Sequence, residues 1–168
     1  MKKRFYYESP LGRIVLENEG DYLTGVWFEK EKTSELRAEK QADILEKEEN
    51  IPQVITRTKQ WLELYFEGRQ PDFMPEILLR GSEFQMLIWG LLREIPYGKT
   101  VTYGELAHQA AGLMGKERMS AQAVGRAVGK NPVSILVPCH RVVGAGGSLT
   151  GYAGGIWRKA ALLELETR

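Results

Sequence analysis

The sequence predicts an α/β protein: a small N-terminal antiparallel sheet with one packed helix, then a mostly helical C-terminal domain with a helix-turn-helix and an active-site strand and loop. Short apolar runs separated by turn signals fill the first 28 residues, which is the pattern of a meander. After residue 52, apolar residues recur at three- and four-residue spacing behind helix-capping residues. Charge divides the chain in the same way. Residues 1–79 hold 12 Lys+Arg against 16 Asp+Glu, and residues 80–168 hold 11 against 6. The segment from Arg69-Gln70-Pro71-Asp72 to Pro75 is the expected boundary, giving domains over residues 1–75 and 76–168.

Phe5-Tyr6-Tyr7, Ile14-Val15-Leu16 and the run from Tyr22 to Phe28 read as three antiparallel strands. Ser9-Pro10-Leu11-Gly12 and Asn18-Glu19-Gly20-Asp21 supply the turns between them. Thirteen of the 22 residues from 29 to 50 are charged, which predicts a solvated connection without chemistry. Pro52 suits a helix start, and Gly68 suits its end. Between them Val54, Thr58, Trp61, Leu62, Tyr65 and Phe66 form one stripe, expected to pack on the sheet. Nothing in this half has the makings of an active site.

Ser82 with Gln85 forms a capping box, and Phe84, Leu87, Ile88, Leu91 and Leu92 give a core-facing stripe. Ile95-Pro96-Tyr97-Gly98 ends that helix. Thr102 with Glu105 opens a short helix over residues 103–111, residues 112–115 break it, and Ser120 caps another that runs to about residue 130. Two short capped helices around a glycine-containing turn predict the helix-turn-helix. The second is slim, with Ala121, Ala123, Gly125 and Gly129. Close packing against another helix would favour that composition, and so would close approach to a nucleic-acid groove. His108, on the first short helix, is expected to have no catalytic role.

Cys139 is the only cysteine in the chain and His140 is one of two histidines. Ser134-Ile135-Leu136-Val137 reads as a short buried strand, and Pro138 then stops the ladder and fixes φ before the cysteine. A thiol at the end of a rigid segment can be aimed, and a neighbouring imidazole can draw off its proton. The alternative is a small core hydrophobe, since adjacent side chains on an extended strand point to opposite faces.

Pro138-Cys139-His140-Arg141-Val142-Val143, preceded by Gly129-Lys130-Asn131-Pro132-Val133, resembles the active-site signature of the O6-alkylguanine-DNA alkyltransferases. Leu149-Thr150-Gly151-Tyr152-Ala153-Gly154-Gly155 and the helix after it resemble their substrate loop. The resemblance runs from about Ser82 to Glu166. It implies single-turnover repair of double-stranded DNA: Cys139 takes the alkyl group from O6 of a flipped-out guanine, with O4-alkylthymine as a further candidate substrate. It further implies that His140 accepts the thiol proton through a water, that Glu166 orients the imidazole, and that Tyr103 donates a proton to the base. Asn131 would brace the turn carrying the cysteine. The carbonyls of Cys139 and Val142 would read the exocyclic amine, while Tyr152, Ala153 and Gly154 would line the pocket. The slim helix, with Ala121, Ala123 and Gly125, would enter the minor groove. Where the family inserts an arginine this chain has Gln122, and Arg126 one turn later is the candidate to compensate. Taken singly, Tyr103 could merely start a helix, Asn131 end one, and Glu166 lie exposed near the chain end.

The basic C-terminal half suggests a polyanion partner. No apolar run approaches the ~20 residues of a membrane span, and the basic start lacks an apolar signal core. One cysteine forms no internal disulfide, so a reduced, cytoplasmic monomer is expected. Members of the resembled family that carry zinc hold it in the N-terminal half, where this chain has no cysteine, so no metal and no organic cofactor is expected. Two other classes remain open from sequence: a non-catalytic sensor of alkylated DNA, and a cysteine hydrolase using Cys139 and His140.

Overall fold

Two tight hairpins open the chain. β1 (Lys2–Ser9) pairs with β2 (Gly12–Glu19), and β2 with β3 (Tyr22–Phe28), both antiparallel. Glu19 faces Tyr22 across the second turn, where Gly20 at φ 58° supplies the positive dihedral that a two-residue loop needs. The computed structural model describes residues 1–30 and 50–168. Most of the expected solvated connection, residues 31–49, lies outside them. The chain divides into two compact units, Met1–Leu78 and Leu79–Arg168.

In the first unit α1 (Gln53–Phe66) lays Val54, Ile55, Trp61, Leu62 and Tyr65 into the core with Ile14, Leu16 and Leu23. Each side chain of that size contributes roughly 1.5–3 kcal/mol on full burial. Thr58 is also buried, and its hydroxyl donates to the Val54 carbonyl at 2.7 Å. The helix ends as expected at Gly68, whose φ of 80° lets the Arg69 amide reach back to the Leu64 carbonyl. Phe66 is only half-buried, while Ile55, absent from the expected stripe, is fully buried.

The second unit holds α2 (Glu83–Arg93), α3 (Tyr103–Met114), α4 (Ala121–Gly129) and α5 (Ile156–Glu166). The Ser82–Gln85 capping box forms reciprocally. Ile88, Leu91 and Leu92 face the core, but Phe84 and Leu87 are half-buried and Trp89 takes their place. Its indole Nε1 donates to the Ala127 carbonyl of α4 at 2.9 Å, tying the two helices together. Thr102 and Ser120 cap α3 and α4 through their hydroxyls.

The expected break at residues 112–115 is not there. α3 continues through Gly112 to Met114 and stops at Gly115, which adopts the left-handed conformation at φ 67°. A glycine inside a helix costs only about 1 kcal/mol, and the buried Leu106, Ala107, Ala110 and Ala111 keep α3 intact. The helix-turn-helix therefore has a shorter turn than expected. A two-residue parallel pairing, β4 (Val101–Thr102) with β5 (Val142–Val143), joins the entrance of α3 to the segment after the cysteine. No described helix is long and apolar enough to cross a membrane.

Candidate active site

Residues 134–137 are buried as expected, but they are not a strand. A run of four apolar or small residues indicates burial and leaves the backbone path open; here tight turns bury all four. The Leu136 amide donates to the Ser134 carbonyl at 2.8 Å, closing a three-residue turn around Ile135. Ile135 sits at φ 71°, the one non-glycine residue with positive φ among those described. For a β-branched residue this is a strained conformation. A second such turn follows: the Cys139 amide donates to the Val137 carbonyl at 2.8 Å around Pro138, at φ −83° and ψ 67°. Cys139 then begins a short 3-10 turn, Cys139–Arg141. His140 therefore lies on a turn, so the opposite-faces argument for a strand does not apply to it.

Asn131 holds this path together. Its Nδ2 donates to the carbonyls of Val137 at 2.8 Å and Val133 at 3.3 Å, and its Oδ1 accepts from the Val133 amide at 3.1 Å. One side chain thus fixes both ends of the turn stack that delivers Cys139.

Behind the cysteine, His140 and Glu166 are 0% and 5% exposed. His140 Nε2 is bonded to Glu166 Oε2. The other carboxylate oxygen accepts from Arg141 Nε at 2.7 Å and from the Gly98 amide at 3.0 Å. Arg141 also donates to the Ile95 carbonyl at 2.7 Å and lies over the Tyr97 ring. The last turn of α5, far from a frayed chain end, is thus sealed into the centre of the unit. Gly98 sits at φ 76°, and a Cβ there would come 3.2 Å from the Glu166 carbonyl.

Cys139 is 8% exposed and lies in the wall of a cavity of about 170 Å³. Tyr103, Asn131, Tyr152, Ala153 and Gly125 line the same cavity. Ser134, Val128, Gly129 and Gly151 complete it. Val142 and Gly154 are outside this lining; Val142 is buried in β5, and the Gly154 carbonyl accepts from Arg158. On α4, Val124, Ala127 and Val128 face inward, Ala121, Gln122 and Arg126 are exposed, and Ala123 is half-buried. The slim residues that meet the cavity are Gly125 and Gly129, and at Gly125 a Cβ would stand 3.9 Å from the Tyr103 ring. The Tyr103 hydroxyl donates to the Thr150 carbonyl at 3.2 Å.

Burial pushes the Cys139 thiol up from its ordinary range, while Asn131 and the Lys159 charge pull it back. Burial also pushes His140 down, against Glu166, which raises it. The pair at rest is therefore a neutral thiol beside a neutral imidazole. Because the carboxylate occupies Nε2, the ring proton belongs there and Nδ1 is the basic nitrogen. Burial raises Tyr103 and Tyr152, and Cys139, once ionised, raises both further. The Tyr152 hydroxyl is buried near Ser134 without a hydrogen bond of regular geometry. Among the described residues no group of three or more His, Cys, Asp or Glu could hold a metal ion.

Residues 83–168 match the family described as 6-O-methylguanine DNA methyltransferase, DNA binding domain, and residues 2–78 match its ribonuclease-like domain. The chain belongs to the 6-O-methylguanine DNA methyltransferase family. The methylated-DNA–protein-cysteine methyltransferase of Mycobacterium bovis is 43% identical, with 95% of this chain and 88% of that protein covered. Its namesake from Methanosarcina acetivorans is 42% identical over 95% of each. The crystal structure of Mycobacterium tuberculosis O6-methylguanine methyltransferase matches with a TM-score of 0.79 at 40% identity, over 99% of this chain and 93% of that one. Mycobacterium tuberculosis OGT in complex with DNA matches at 0.78 and 38% identity, over 98% and 92%.

Against this family background, the residue that sequence reasoning missed is Lys159 of α5. It is 0% exposed, and its Nζ donates to the carbonyls of Thr150 at 2.9 Å and Gly151 at 3.2 Å. A clue was present: Lys159 falls on the same face as Leu162 and Glu166, at spacings of three and seven.

Proposed function

We propose that this chain repairs alkylated DNA directly, by irreversible transfer of an alkyl group, methyl above all, from O6 of a flipped-out guanine in duplex DNA to Cys139. Each molecule acts once. The observation that carries the reading is a buried thiol in the wall of a tyrosine-lined cavity, backed by a His140–Glu166 pair on the adjoining turn. A target atom inside a stacked duplex is out of reach of such a thiol, so the nucleotide must swing out at a cost of a few kcal/mol.

In this reading α4 enters the minor groove with Ala121, Ala123 and Gly125 giving it a narrow profile. Gln122 and Arg126, exposed on that helix, hold the gap left by the base and the strand beside it. The carbonyls of Cys139 and Val142 accept from the exocyclic amine of guanine. The Ala153 amide approaches O6 and Tyr152 lines the pocket, while Gly154 supports the loop from outside the lining, its carbonyl accepting from Arg158.

His140 Nδ1 draws the thiol proton through a water while Glu166 holds the ring. Sulfur then attacks the alkyl carbon in line; the S–C bond forms as the C–O bond breaks, and the electron pair goes to the base. Tyr103 supplies the proton that neutralises the departing guanine, which requires its hydroxyl to leave Thr150. Asn131 keeps the cysteine turn in place throughout. A thioether has no easy leaving route, so nothing regenerates the thiol. No cofactor enters these steps. The first unit serves as scaffold, and the protein works as a cytoplasmic monomer. O4-alkylthymine, with an alkylated oxygen on a base of similar edge, is a secondary substrate.

Cys139→Ala tests the assignment. It should bind duplex DNA bearing O6-methylguanine like the unmutated protein and transfer nothing. Undiminished repair by this variant would remove Cys139 from the chemistry.

A further inference from the structure

Lysine is almost never fully buried unless its charge is paired. Lys159 is fully buried, and the groups its ammonium meets are the Thr150 and Gly151 carbonyls and the Tyr103 ring, 5.6 Å from Nζ. No carboxylate shares the site among the described residues. An apolar side chain would fill that space at far lower cost in desolvation, so a lysine there points to work on the loop it binds. Gly151 turns that loop at φ 60° and lines the same cavity as Cys139.

The Thr150 carbonyl is the decisive group. It accepts from Lys159 Nζ at 2.9 Å and from the Tyr103 hydroxyl at 3.2 Å, which uses both of its lone pairs. We infer that Lys159 is a positioning residue for alkyl transfer: it anchors the Thr150–Gly151 edge of the loop and keeps the Thr150 carbonyl satisfied when Tyr103 turns to the base. This rests on the function proposed above. With Lys159 present, release of Tyr103 leaves no orphaned acceptor. Without it, the phenol is the carbonyl's one remaining partner on the protein, and turning to the base leaves that edge of the loop untethered. The mutual influence of Lys159 and Cys139 on each other's protonation fits this closeness.

Lys159→Met is the test, read in single turnovers at saturating O6-methylguanine duplex and by DNA binding. The transfer rate should fall about 10-fold or more with the DNA Kd within about 2-fold of the unmutated value, because the group acts after binding. The same substitution in a Tyr103→Phe background should cost much less, since the two side chains work through one carbonyl. Lys159→Arg should recover part of the rate. An Lys159→Met protein that folds and transfers at the unmutated rate overturns the inference, as do equal losses in both backgrounds. If Lys159→Met does not fold, Lys159→Gln, which keeps neutral N–H donors, is read by the same criteria. If neither folds, the lysine is structural and the inference fails. Absence of any methyl on Cys139 in the unmutated protein would instead sink the function itself, a separate outcome.

Discussion

His140 and Glu166, 26 positions apart in sequence, meet through Nε2 and Oε2 with both side chains sealed from solvent. The contact sets the tautomer of the imidazole, with the ring proton on Nε2; in the proposed mechanism Nδ1 is the base toward the thiol. Glu166→Gln should fold but lose about 10²-fold or more in transfer rate, because a neutral amide neither fixes the tautomer nor stabilises the imidazolium. Single-turnover kinetics on an O6-methylguanine duplex would measure this.

Glu166→Ala should do more damage to the fold. It strands the buried Arg141 guanidinium and the Gly98 amide together with His140. Breaking a buried pair by removing one partner costs about 3–5 kcal/mol. Urea unfolding should show Glu166→Ala far below Glu166→Gln in midpoint, and coincident midpoints would contradict the network.

Burial holds the His140 pKa below its ordinary 6.5, against the pull of Glu166. The base is thus already neutral at that pH, and transfer should hold steady as pH falls through 6.5, declining only lower down. The same shift acts on stability. The unfolded chain gains a proton on this histidine near pH 6.5 and the folded chain only at lower pH. The native state therefore keeps this part of its stability above 6.5 and loses it as pH drops toward the folded pKa. A rate profile with its midpoint at or above 6.5 would contradict the buried, neutral imidazole.

Asn131→Ala removes three hydrogen bonds around the cysteine turn. Leaving buried backbone groups without partners costs about 1–3 kcal/mol each. Ile135 is already strained, so the turn should relax and the thiol lose its aim. Thermal unfolding should show the destabilisation. Alkylation of Cys139 by a small thiol reagent should rise while transfer from DNA falls. Unchanged values for both would show that Asn131 only ends a helix.

Arg126→Ala tests the groove-facing helix. Arg126 is exposed on α4, so its loss should leave folding intact, weaken duplex binding and reduce the salt dependence of log K by about 1. An unchanged salt slope would take Arg126 off the DNA.

The helices were legible because their signals are local. Ser82, Thr102 and Ser120 cap where they stand in sequence, and Gly68 ends its helix by adopting positive φ. The path of residues 134–137 was not legible, because apolar runs state burial without stating backbone conformation. What sets that path is Asn131 reaching across six residues, together with a strained Ile135. The extent of α3 differs from its sequence pattern for a related reason: Gly112 reads as a breaker, yet core packing carries the helix past it. Cys139, His140, Tyr103, Asn131 and Glu166 were nameable through the family signature. Their convergence, and the burial of Glu166 near the chain end, depend on long-range contacts that sequence spacing does not reveal. Lys159 escapes notice because a lysine in a helix ordinarily points to water, and its place on the face of Leu162 and Glu166 is the one local sign that this one points inward.

In the proposed reaction one sulfur receives the alkyl group and keeps it. Incubating the protein with excess O6-methylguanine duplex, then digesting it and weighing the Cys139 peptide, tests this most directly. The expected result is one methyl per protein molecule, on Cys139, with guanine restored in an equal amount of DNA and no further turnover. An unmodified Cys139 peptide after the lesion has been bound or removed would contradict it.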